Sequence, residues 1–65
     1  MNLNDYIVLF KDKTWVAVYK TEMIFKPEFK IILFLGDGWS EGLNISEVTT
    51  VLKYDGSNLI NVPIR

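Results

Sequence analysis

Apolar and polar positions alternate along this chain in short blocks that mostly suit strands, although Ile45, Val48, Val51 and Leu52 also fit a helical face. Tyr6 to Phe10 is a β-branched and aromatic block, and Lys11-Asp12-Lys13 after it reads as a polar turn. Thr14 to Lys20 follows as a second strand, with Trp15, Ala17 and Tyr19 on one side and Val16 and Val18 on the other. The two blocks predict a hairpin with a short loop around Asp12. Trp15, inside an alternating strand, is expected in the core.

The next signals are breaks. Thr21 to Phe25 continues extended or bends, and Lys26-Pro27-Glu28 interrupts it, because proline removes a ladder donor and biases the preceding residue away from the helical region. Phe29 to Leu35 is the strongest strand of the chain, with Phe29, Ile31, Leu33 and Leu35 on one face and Ile32 and Phe34 on the other. A strand apolar on both sides needs cover on both sides. In a chain this short, the second cover must come from a strongly curled sheet or from another molecule.

Gly36-Asp37-Gly38 supplies the positive backbone dihedrals of a tight turn, and Trp39 to Gly42 reads as a loop or short strand. Asn44-Ile45-Ser46-Glu47 looks like a helix start, with Asn44 as N-cap and Glu47 three residues on. The β-branched Val48-Thr49-Thr50-Val51 argues for strand instead. The pattern therefore predicts one turn over 45–47, entering a strand over 48–54. Asp55-Gly56 predicts a type I′ hairpin turn, with positive φ at both centres. Asn58 to Val62 closes the set, with Pro63 suited to a strand end or edge.

This inventory predicts an all-β fold in a single domain over 1–65: a small five- to six-stranded curled antiparallel sheet or an SH3/Tudor-like barrel, with one short helical turn near 45–48. The order of hairpin, bent strand, strong central strand and late short turn loosely resembles SH3-like and Tudor-like barrels, a likeness of plan that carries no function by itself.

Composition narrows the chemistry. In 65 residues there is no cysteine and no histidine, which removes disulfides, zinc fingers, iron–sulfur clusters and c-type haem attachment together. No calcium-loop pattern is present, so neither metal nor cofactor is expected. A domain of this size buries only about 60% of the surface its unfolded chain exposes. With no covalent staple, core quality and self-association must supply the stability. Core material is ample, since 49% of residues are hydrophobic and 14% aromatic. Seven Lys and Arg against eight Asp and Glu give no global attraction to phosphate or anionic lipid. Without a basic-then-apolar leader pattern or a bilayer-length apolar run, a soluble, cytoplasmic protein is expected, with no membrane partner.

Catalysis is disfavoured. Ser40, Ser46 and Ser57 have only lysine or carboxylate as activator, and none sits in a G-x-S-x-G or S-x-x-K pattern. Asp37 and Glu41, four apart on one loop, read first as solvated charges and only second as an acid–base pair. Gly36-Asp37-Gly38 lacks the spacing of a phosphate-binding loop, and its acid would repel a phosphate. Asn44-Ile45-Ser46 matches a glycosylation acceptor without a secretory context. No enzyme is expected.

Two stretches point to binding. Trp39, flanked by Asp37 and Glu41, is a large ring in a polar loop, and tryptophan is enriched at interface hot spots. It serves either as a cap folded over the core or as a contact for another protein. Phe25-Lys26-Pro27-Glu28-Phe29-Lys30 interleaves rings and lysines around a bend, as single-strand nucleic-acid surfaces do. The plainer reading puts Phe25 and Phe29 in the core and Lys26 and Lys30 in water. A non-catalytic protein-interaction module is thus the first expectation. Small self-contained chains of this kind are often accessory or inhibitory factors, such as those carried by phages and mobile elements. A single-stranded nucleic-acid-binding protein is the alternative. The two apolar faces of 29–35 further predict a homodimer.

Overall fold

The computed structural model describes residues 5–64. Its seven strands are β1 (Tyr6–Phe10), β2 (Val16–Tyr19), β3 (Glu22–Lys26), β4 (Ile31–Gly36), β5 (Trp39–Asn44), β6 (Val48–Tyr54) and β7 (Leu59–Val62). They build two antiparallel sheets, one of four strands in the order β2-β1-β6-β7 and one of three in the order β3-β4-β5. The all-β expectation holds, with more strands than five or six and two sheets rather than one. No barrel closes among the described residues.

The second layer is what β4 required. Ile32 and Phe34 project inward and are fully buried against Val8, Val48 and Val51 of the four-stranded sheet, with Tyr19 and Ile64 completing the buried cluster. Tyr6 meets Phe34 edge to face, ring centroids 5.8 Å apart. One face of β4 therefore finds its cover within the chain, while the other looks outward.

The chain changes sheet at two corners. Lys20-Thr21 leads β2 into β3, and a 3₁₀ turn at Ile45–Glu47 leads β5 into β6. At the second corner Asn44 caps as its sequence suggests, its side chain accepting from the Ser46 backbone N–H at 3.0 Å. The extended stretch from Val48 then runs to Tyr54, as the β-branched residues indicate.

Four expectations need correction. Phe29 does not begin the central strand: Pro27–Phe29 form a 3₁₀ turn and Lys30 adopts a left-handed φ of 56°, which breaks the alternation before β4 starts. Phe29 consequently points into water, 70% exposed. Trp15 is not core either. β2 starts only at Val16, so Trp15 lies past the last ladder pair, Leu9 with Val16, and is 55% exposed against Phe10. The Asp55-Gly56 turn is not a two-residue type I′ turn, because Gly56 has positive φ but Asp55 does not. Four residues separate the last ladder pair, Tyr54 and Leu59, and the Asp55 carboxylate holds them by accepting from the backbone N–H groups of Ser57 and Asn58. In the β4–β5 turn only Gly38 has positive φ, at 80°.

Candidate interaction surfaces

Residues directly opposite in an antiparallel ladder share a face. Val8 pairs with Ala17 and with Val51 on the inner side of the four-stranded sheet. The intervening pairs therefore project outward: Ile7 lies between Val18 and Leu52, and Leu9 between Val16 and Thr50. Asn61 beside Leu52 and Leu59 beside Tyr54 extend this surface. None of these residues carries a carboxylate or an ammonium. Lys53, the charged residue within the four strands, sits on the opposite face with its Nζ 5.7 Å from the Tyr6 ring centre. Val16, Val18 and Leu59 are each 49% exposed, and no element of the described chain lies over this face.

The outer side of the three-stranded sheet differs. Ile31, Leu33 and Leu35 of β4 form a stripe one strand wide, bordered by Lys26, Ile24 and Glu22 on β3 and by Asn44, Gly42 and Ser40 on β5. Leu33 partly shields itself by lying across Gly42. Polar neighbours at both ends make this an ordinary half-wet face.

Trp39, Asp37 and Glu41 end up in distinct settings. Asp37 is exposed at the tip of the β4–β5 hairpin. Trp39 opens β5 opposite Gly36 and remains 45% exposed, its indole lying on the Gly36 backbone where a side chain would otherwise stand. Glu41, on the same face two residues on, lies close enough to the Tyr19 phenol to act on it electrostatically. Burial first, and then the Glu41 carboxylate, push the Tyr19 phenol up from 10.0 to about 12.

The bend residues separate as well. Phe25 packs against the buried cluster, while Lys26 stands opposite Ile31 on the outer side. Phe29 and Lys30 are exposed on the 3₁₀ turn and its exit. The bend offers one open ring, not two.

Nothing in the described residues forms a group of three or more acids that could hold a metal ion. A cleft beside Phe10, Asp12, Lys13 and Glu47 measures about 200 Å³, and one beside Tyr6, Glu22, Met23 and Lys53 about 260 Å³. Both fall below the roughly 300 Å³ at which small-molecule pockets begin. No described helix is long and apolar enough to cross a membrane. Comparison with protein-family models, curated proteins and solved structures gave no match.

The surface that sequence reading passed over is the uncharged outer face around Ile7, Val18 and Leu52. Its signal was present in β2, where Val16 and Val18 oppose Ala17 and Tyr19. Which of the two rows would be covered depends on the second sheet, and no local pattern encodes that.

Proposed function

We propose that this chain is a non-catalytic, cytoplasmic protein-interaction module that works by covering a surface on a partner protein, as an accessory or inhibitory factor, and that it self-associates as a homodimer. Its plan is read as an open relative of SH3- and Tudor-like modules, which likewise act through a rigid β surface. One observation carries the reading: the uncharged aliphatic outer face of the four-stranded sheet, left without cover. Contiguous exposed apolar patches of more than a few hundred Å² are rare on monomers and mark interaction sites. Trp39 and Asp37, at one hairpin end, form a second contact of the kind tryptophan makes at hot spots.

The test is capture of a partner from lysate of the source organism by immobilised protein, repeated with Leu52→Asp and Trp39→Ala. A partner held by the wild type and lost from folded Leu52→Asp supports the reading. Equal capture by both proteins, or none by either, overturns it. Phe29, exposed between Lys26 and Lys30, is what favours the second reading, single-stranded nucleic-acid binding. One open ring and a near-neutral chain favour it less.

A further inference from the structure

Two sheets have four edges, and an open edge is a template for pairing unless charge, proline or irregularity blunts it. β3 carries Glu22 and Lys26 at its ends. β5 carries Glu41 and Gly42. β7 has Asn61 in its outward row, and Pro63 removes the donor with which the ladder would continue. β2 has none of these devices among its own four residues, with Lys20 following only at the corner. Its sequence is Val16-Ala17-Val18-Tyr19, it pairs with β1 on one side only, and its outward Val16 and Val18 are half exposed.

We infer that β2 is the seam of the homodimer, pairing antiparallel with β2 of a second copy to form one continuous eight-stranded sheet. The inference deepens the homodimer part of the proposed function and rests on it. A second copy is favoured as occupant by charge. Two-fold pairing sets each residue near its own duplicate, so a charged edge would repel itself; Val16 to Tyr19 carry no charge, and Lys20, which follows them, can be kept from its duplicate by the register.

Symmetry also fixes the register. Opposite residues share a face, so a two-fold axis through the seam must pass a residue that pairs with its own copy. Placing Val18 on the axis would set Val16 against Lys20. Placing Ala17 there sets Val16 against Val18 of the second copy, twice, on the outward face. Lys20 then falls level with Thr14, and no like charges meet. The seam joins the two uncharged faces into one of double width.

Light scattering on the full chain at micromolar concentration should give a mass of two chains, twice 7.5 kDa. Val16→Lys/Val18→Lys sets lysine against lysine at both outward pairs and should give one chain. Val16→Glu/Val18→Lys sets opposite charges together in the Ala17-centred register and should restore two. A monomeric wild type overturns the homodimer and the seam together. A dimer that survives the double-lysine change overturns the seam alone, and a charge-swapped variant that stays monomeric overturns the register. Should the double-lysine variant fail to fold, wild-type hydrogen exchange decides. Protection over residues 16–19 that rises with concentration supports the seam, and protection independent of concentration overturns it.

Discussion

Tyr19 lies flat on Phe34, ring centroids 3.9 Å apart and planes 5° from parallel. The first belongs to an edge strand of the larger sheet and the second to the middle strand of the smaller, so the stack joins the two layers. The Tyr19 hydroxyl, in turn, lies within the electrostatic reach of the Glu41 carboxylate on β5. Ring and hydroxyl thus contribute through different physics, and substitution separates them.

Tyr19→Phe keeps the stack and removes only a hydroxyl beside an exposed carboxylate, a loss of at most about 1 kcal/mol. Phe34→Ala empties a fully buried site and should cost about 3–5 kcal/mol. Roughly 0.05–0.15 kcal/mol per residue is the usual total. Phe34→Ala is therefore expected unfolded in urea titrations where Tyr19→Phe only shifts the midpoint.

The raised Tyr19 pKa has a definite sign. The fold holds the neutral phenol and disfavours the anion, so this contribution is complete below pH 10 and is lost as pH rises through about 12. Melting temperatures of the wild type should fall across that window, and Tyr19→Phe should fall less. An equal decline in both proteins would detach alkaline unfolding from this residue.

Gly36 and Trp39 make a close fit of another kind, because a Cβ on Gly36 would stand inside the indole ring. Gly36→Ala should therefore expel the ring, shifting tryptophan emission to the red and destabilising the chain by about 1–3 kcal/mol. Gly38→Ala touches nothing, but its φ of 80° is strained for alanine, at about 1–2 kcal/mol with emission unchanged.

In the β6–β7 turn, backbone N–H groups of Asn58 and then Ser57 hold the Asp55 carboxyl below its ordinary 3.8. A lowered acid stabilises the fold above its unfolded value and ceases to as pH falls through the folded one. Asp55→Asn keeps an acceptor but cannot titrate. Its stability should be flatter than wild type in acid, read by denaturant midpoints below pH 3.8.

Single-stranded oligonucleotide at low salt should leave tryptophan emission unchanged. Binding that weakens steeply with salt and disappears in Phe29→Ala would instead establish the nucleic-acid reading.

Local chemistry made some elements legible and hid others. Asn44 and the β-branched run after Glu47 announced the turn and the strand at the β5–β6 corner, because capping and χ1 restriction act within a few residues. Lys30 gave no such notice. A lysine at positive φ is held there by its neighbours, here by Lys30 N–H donating to Pro27 and Ile45 N–H donating to Lys30. Phe29 was misplaced with it. Trp15 alternated correctly with Ala17 and Tyr19, but its strand ends one residue short of it, and burial needs a facing layer.

The amino-acid order by itself determined the β class, most of the turns, the exclusion of thiol and imidazole chemistry, and an apolar content in excess of one small core. Those properties follow from side-chain identity and spacing along the chain. Only the tertiary structure decided that Ile32 and Phe34 face inward while Ile7, Val18 and Leu52 face out. A strand apolar on both sides has two equivalent rows until a second sheet packs on one, and that choice is made by contacts far apart in sequence.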